Sequence, residues 1–491
     1  MSISLITKKN LKKVIDPHFF EDLTNDEYKV KTIDAKNLLT HNRFDLSFKL
    51  MFLKMSILDI KFAKEAYKDH IKALTLGKFI EPGNSQKNNL DEYINSFENT
   101  YSDIKKNSFN TKKSLIPLSS NGSIANGAHR VASSIILGTK IPCVNIAVTE
   151  HVYDYKFFND RNVSQKLMDA AACEFIENAN NVYLAIIWPT AVGKDDDLES
   201  IFKSIVYRKE VKLNANGAHN LLSQIYYGED WIGSVEDNFK GAEGKLIECF
   251  KSFNEIRFIA FQSESIEHVK KIKEEIRSIF NLGKHSIHIT DTHTETLRVS
   301  RVVFNENSIH FLNYAKPNKF TSTHKKIKKY KAFLNENNIS SDDAILDSGI
   351  ILSAYGLREA QDTDFLINNN RGDLNVKFDL IDNHEEVLKH YAFNKVDMIY
   401  DQRLYFYFND LKFISFSNLY QMKKNRAETK DQTDLMLMQA LIESNTFKEN
   451  YAKLKQMVHY EKIKSRQRVL NLLKALGIYI FVKKFYKGLK K

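Results

Sequence analysis

The chain of 491 residues is 43% apolar and 27% charged, a globular balance that excludes a long disordered region and leaves room for two or three domains. Three widely spaced cysteines, Cys143, Cys173 and Cys249, exclude a disulfide framework and a Cys-x-x-Cys metal or redox pair, and suit a reducing compartment. The net charge of +11 is local: residues 461–491 hold ten Lys/Arg and one Glu, and taking these from totals of 72 and 61 leaves 62 basic against 60 acidic residues, too even to supply a nucleic-acid face.

The opening MSISLITKKNLKKVIDPHFF has no apolar run ending in a small-residue cleavage site, so no secretory leader is expected. No window reaches the roughly 18 apolar residues that a membrane-spanning helix needs. Residues 1–110 read as helices and loops, with FDLSFKLMFLKMSILDIKFAKEAY as the strongest helical periodicity. From Ser114, strand, Asn-Gly turn, helix and strand follow closely in SLIPLSSNGSIANGAHRVASSIILGTKIPCVNIAV. NVYLAIIWP and EIRFIAF are further strands, and EHVKKIKEEIRSIF is a helix before the strand SIHIT. A basic polar stretch from Pro317 reads as an inter-domain link, placing a boundary near 320–330. Beyond it come strand AILDS, helix GIILSAYG, strand DTDFLI and the hairpin LYFYFNDLKFISF around Asn409-Asp410.

In the C-terminal part, Asp362 and Asp364 flank Thr363 at a strand start, where alternate residues share a face and two carboxylates can hold a divalent metal. Ser348-Gly349, ahead of a short helix, can bring backbone amides close to phosphate oxygens. This pattern resembles the nucleotidyltransferase superfamily, with a small-residue pair, a helix and Asp-x-Asp on a strand. The later SFSNLYQMKKNRAETKDQTDLMLM is similar to the end of that domain in its minimal members, with Lys423, Arg426, Lys430, Asp431 and Asp434 at the matching positions. The resemblance covers about 115 residues. It implies Mg²⁺ at Asp362 and Asp364, catalysis by the same pair, and nucleotide contacts from Ser348, Gly349, Lys423 and Lys430. The family pair is usually Gly-Ser or Gly-Gly, the residue between the aspartates is usually apolar, and the third metal carboxylate stays open among Asp379, Asp382 and Asp397.

In the N-terminal part, Gly127, Ala128, His129 and Arg130 put a cationic fork beside a glycine turn at a helix start, which suits phosphate. The run Gly127, His129, Arg130, Ala132, Leu137, Gly138 and Pro142 resembles the ParB/sulfiredoxin superfamily, whose members hold nucleotide phosphates on this element. Sulfiredoxin chemistry needs a cysteine where Ala128 stands, and the DNA-partition branch needs a basic face, so the resemblance implies the kinase-like branch. His129 and Arg130 are then catalytic candidates, and a carboxylate base is not placed.

Other runs compete between roles. His288, Asp291 and Glu295 form a candidate substrate-binding group, against a capping box Thr292-x-x-Glu295; a metal is the third reading. Glu229, Asp230 and Trp231 suit a sugar, against a loop anchored by a buried Trp. Asp195 to Asp197 read as a charged helix start, and WPTAVGK lacks P-loop spacing. The tail SRQRVLNLLKALGIYIFVKKFYKGLKK alternates apolar and basic residues at helical intervals, which suits an anionic leaflet, each basic residue adding about 1 kcal/mol.

The expectation is an α/β and α+β, multi-domain chain: 1–325 ParB/sulfiredoxin-like with a helical extension, 326–445 nucleotidyltransferase-like with a mixed sheet, and 446–491 a basic amphipathic helical tail. It is expected to be a cytoplasmic kinase and/or nucleotidyltransferase using ATP or CTP with Mg²⁺ on a sugar or small polyol, in capsule or lipopolysaccharide assembly, with a peripheral membrane contact. A nucleotide-sensing ParB-like DNA-binding or regulatory protein with an inactive transferase fold, and a toxin-type nucleotidyltransferase, are the rival classes.

Overall fold

A computed structural model describes residues 3–56, 58–81, 87–368 and 381–479. It is a mixed α/β chain with three sheets. The first sheet has the order β1 (Ile3–Thr7), β2 (Glu27–Asp34), β4 (Lys140–Val148), β3 (Ile116–Ser119). Its β3 and β4 run parallel, joined through the helix Ala128–Ile136, while β1 and β2 extend the sheet antiparallel. Thus two strands lie in the segment read as helical. EYKVKTID does alternate, with Tyr28 and Val30 buried and the charged positions Glu27, Lys29 and Lys31 facing water.

The second sheet is antiparallel, ordered β6 (Ile205–Val211), β7 (Ile256–Gln262), β5 (Val182–Ile187), β8 (Ile287–Ile289). The range 1–325, expected as one domain, therefore holds two separate sheets. The third sheet is mixed, in the order β11 (Ile381–Asn383), β10 (Thr363–Ile367), β9 (Ala344–Asp347), β13 (Leu411–Ile414), β12 (Tyr405–Phe408). The hairpin β12–β13 turns at Asn409 and Asp410, both with positive φ (48° and 60°), the conformation of a two-residue hairpin loop.

The expected boundaries move. The stretch after Pro317 becomes the helix Thr321–Glu336, whose Tyr330 and Phe333 rings lie 5.5 and 5.6 Å from Phe365 on β10, so this helix belongs to the third sheet's core. Apolar residues at 327, 330, 333 and 334 outweigh its lysines. The cut at 445 falls inside one helix, Thr429–Ala475, whose first turns are anchored by buried Asp431, Asp434 and Met438. Among the described residues one apolar cluster runs from Ala35 to Met438, beside two smaller clusters. Its bridge is the helix Glu306–Tyr314, where Phe311 stacks on Phe406 at 4.6 Å and Ser308 bonds the Tyr407 N–H at 2.8 Å. At its C-terminal end, Asn220 on the helix Ala215–Ile225 donates to the carbonyls of Leu312 and Ala315 at 2.8 and 3.0 Å.

Candidate functional site

The third sheet gathers carboxylates. Register places Asp364 opposite Asp347 on antiparallel β9 and opposite Asp382 on parallel β11, and directly opposed residues share a face. Thr363 points the other way and is buried. Burial pushes the Asp364 carboxyl up and His384 pulls it down; Asp362, Asp347 and Asp382 add to the rise, leaving it at about 7. Of the three candidates for a third acidic ligand, Asp382 joins this row. Asp397 is buried in the cap of the helix Lys395–Tyr400, bonded by Asn394, and Asp379 lies outside the described residues.

Two residues at this site were not singled out in the sequence. Asp347 is fully buried; its Oδ1 accepts the Ser348 N–H at 2.6 Å and the Tyr391 hydroxyl at 2.5 Å, while its Oδ2 has no hydrogen-bond partner. His384 sets Nδ1 3.2 Å from the Ser348 hydroxyl, 3.6 Å from Asp347 Oδ2 and 3.9 Å from Asp364 Oδ2. Burial lowers the His384 pKa, but Asp347 and Asp364 beside it win and raise it. Asp347 reads in sequence as one more strand residue of AILDS, and His384 stands in the unremarkable run DNHEE, so periodicity marked neither.

Ser348 turns the chain from β9 into the helix Gly349–Ala354 with φ 57° and ψ −124°, a conformation that disfavours any residue but glycine. Gly349 leaves the Arg358 guanidinium 3.7 Å from where a Cβ would stand. Arg358 in turn grips Asp434 through Nε and Nη2 at 2.5 and 2.9 Å. Lys423, expected at the nucleotide, is instead buried between Asp431 (3.1 Å) and Asp434 (2.8 Å). Lys430, also expected there, is an exposed surface residue paired with Glu428 at 3.2 Å. Arg426 holds Asp431 at 2.7 Å, and its charge reaches Asp347 and His384.

A divalent cation fits this row in charge: the carboxylates crowd one another, and the buried Oδ2 of Asp347 accepts no hydrogen bond, its nearest cation being His384 at 3.6 Å. It fits less well in convergence, since among the described residues no three His, Cys, Asp or Glu side chains close around one point.

The N-terminal residues line a different space, a cavity of about 800 Å³. Gly127 caps the helix Ala128–Ile136 with φ 94°; a Cβ there would stand 2.7 Å from Ile116 Cδ1 and 2.8 Å from Arg130 Nη2, because Arg130 folds back beneath the turn to the Leu115 carbonyl. Burial lowers the Arg130 pKa, opposed by Asp16. Gly127, Ala128, His129 and Arg130 all line the cavity. His129, however, does not supply a second cation. Its ring stacks on Phe97 at 4.2 Å, its Nε2 meets the Tyr67 hydroxyl at 2.8 Å, and burial, Lys49 and Lys87 hold its pKa well below the ordinary histidine value.

Glu295 accepts the Asp291 N–H at 2.8 Å and meets His288 Nε2 at 3.0 Å, while Thr292 accepts the Glu295 N–H at 3.1 Å. One Glu295 oxygen thus helps start the helix His293–Val303 and the other pairs with His288 on β8, so the group expected at a substrate holds itself together. Trp231 is exposed at 47% and does not anchor its loop as expected; the buried indole is Trp188. Asp195 opens the helix Asp195–Ile201 and pairs with Arg208 and Arg257. Comparison of the chain with family models, curated proteins and solved structures finds no match in any of the three.

Proposed function

We propose that the chain is a nucleotide-dependent transferase of phosphorus-containing groups, a kinase and/or nucleotidyltransferase acting on a sugar or small polyol. The observation that carries this reading is the row Asp347, Asp364 and Asp382 across three neighbouring strands, beside the Ser348-Gly349 turn. Carboxylates so crowded that one is held at about 7 suit Mg²⁺ and a triphosphate. Asp362, Asp364 and Asp382 would hold the ion, which would neutralise phosphate charge and orient the triphosphate. Arg426 and Arg358 stand beside the row and stabilise its excess negative charge. In the N-terminal cavity, the Gly127–Arg130 turn offers helix-start amides and a guanidinium to a second phosphate group. ATP and CTP both suit these contacts, which touch phosphate rather than base.

Thermal-shift titration of ATP and CTP with Mg²⁺ tests both sites, since a ligand bound only by the native chain raises the melting temperature. Wild type is expected to be stabilised, with Asp364→Asn and Arg130→Ala each removing a separate part of the shift. No stabilisation of wild type by any nucleotide sinks the proposal.

One observation favours a rival: with no three ligands converging among the described residues, a transferase fold can serve as an inactive nucleotide sensor. Nucleotide binding with no turnover of any sugar or polyol acceptor would select that reading. A place in capsule or lipopolysaccharide assembly, in the cytoplasm at the inner membrane face, is part of this proposal and is supported by the basic composition of the tail. Among the described residues no helix is long and apolar enough to cross a membrane.

A further inference from the structure

Beside the Gly127–Arg130 turn, the same cavity has a wall built from the helix Asp45–Ser56. Arg43 binds Asp45 through Nε and Nη2 at 2.8 and 2.9 Å, and Lys49, one turn along, reaches Asp45 Oδ2 at 2.8 Å. Lys49 Nζ also meets His70 Nε2 at 3.1 Å. The four residues are 3%, 1%, 3% and 0% exposed in chain order, so this is a buried set. Its charges do not cancel: two cations share one carboxylate, and His70 is kept neutral by burial and by Lys49. His70 Nδ1 is left without a partner. Burial pulls the Lys49 pKa below the ordinary lysine value while Asp45 holds it up, so its charged form is costly here unless an anion balances it. Lys87 adds a further cation to the lining, beside Glu81 at 2.9 Å, and Arg130 stands on the same cavity.

We propose that Arg43 and Lys49 form a receptor for a phosphate or pyrophosphate group, and that Lys49 is the residue that touches it. Lys49 has two of its three protons directed at Asp45 and His70, leaving one for a ligand oxygen. Asp45 is a positioning residue: it holds both cations in place and is too strongly paired to act as a base. On the same lining the Thr75 and Thr100 hydroxyls already donate to the Ile71 and Ser96 carbonyls, so only the Ser96 hydroxyl is offered to a polyol carrying that phosphate. The inference rests on the phosphotransfer reading only for the class of ligand.

The test is calorimetric titration of inorganic pyrophosphate into the full chain in EDTA, where the metal-free carboxylate row of the third sheet repels the anion and the cavity reports alone. Lys49→Met leaves Arg43 and Asp45 as a neutral pair, so its melting temperature without ligand should stay level or rise, while pyrophosphate binds about tenfold to a hundredfold more weakly. Asp45→Asn should move the two readouts in opposite directions, lowering stability and tightening pyrophosphate. Unchanged affinity in Lys49→Met, or a loss of stability there with no gain of affinity in Asp45→Asn, would mean that the cluster is only structural and would overturn the inference. Absence of binding to wild type in EDTA would also overturn it, yet leave the Mg²⁺-dependent test of the third sheet standing.

Discussion

At the scale of single residues, Ser348 carries the clearest cost. Its positive φ is one that a Cβ resists, so Ser348→Gly should stabilise the chain by about 1 kcal/mol in chemical denaturation. The same change removes the hydroxyl 3.2 Å from His384, and transferase turnover should fall while stability rises. If stability is unchanged or reduced, the serine's hydrogen bond outweighs the backbone strain. Asp364 gives a pH signature. With its carboxyl at about 7, it is largely protonated below that value and charged above it. Mg²⁺-nucleotide affinity should therefore rise as pH passes upward through 7, falling about tenfold per unit below it. In Asp364→Asn the remaining binding should lose that dependence, and a profile unchanged by the substitution would refute the assignment. The strand that carries Asp364 was legible because its apolar run FLI is a local pattern. The set Arg43, Asp45, Lys49 was not: Asp45 and Lys49 stand four apart in an apolar helix, the spacing of an ordinary solvated ion pair, and only the packed fold shows that they are buried.

At the scale of elements, the join between the helices Phe416–Arg426 and Thr429–Ala475 is electrostatic. Arg426 and Lys423 converge on Asp431, Lys423 continues to Asp434, and Arg358 closes the chain of charges. Burial pushes the Asp431 carboxyl up, but its bonds from Arg426 and Lys423 prevail and hold it at about 2. The sign is that of a depressed acid: its contribution is complete above the unfolded value near 4 and is lost as pH falls towards 2. Asp431→Asn leaves two cations underpaired, one of them buried, and should cost about 3–5 kcal/mol of unfolding free energy. A change under about 1 kcal/mol would show that the network contributes little. The order Lys423, Arg426, Asp431, Asp434 was visible in sequence as a motif, but its role was assigned to the nucleotide. Spacing alone cannot distinguish a charge offered to a ligand from one neutralised inside the fold. The hairpin at Asn409-Asp410 was read correctly because its turn chemistry is local. The strands β1 and β2 were missed because β2 is half-solvated and pairs with β4, more than 100 residues away in sequence.

At the scale of the whole molecule, the continuous core through Phe311 means that a cut near 325 would expose Phe406 and Tyr355 and not release two folded halves. In the described part of the tail, Val469, Leu472, Leu476 and Ile478 are exposed at 45–62%, alongside exposed Arg466 and Arg468. If this face meets an anionic leaflet, the chain should float with vesicles containing phosphatidylglycerol, release in about 1 M salt, and ignore neutral vesicles. Binding that ignores lipid charge would refute the electrostatic part of that reading. Residues 480–491, which complete the basic run, lie outside the described residues.

The helix Thr429–Ala475 runs 47 residues without a break. From Met438, buried in the core, to Ala475 it rises roughly 55 Å at about 1.5 Å per residue. A rod of that length differs from a leash. A leash lets the body tumble freely over a sphere of positions around its anchor, whereas a rod transmits the attitude of its far end to the near one. Any surface that fixes residues 466–478 would thereby set the direction in which the mouth of the carboxylate row opens, and so decide whether a lipid-borne or a freely diffusing acceptor arrives there first.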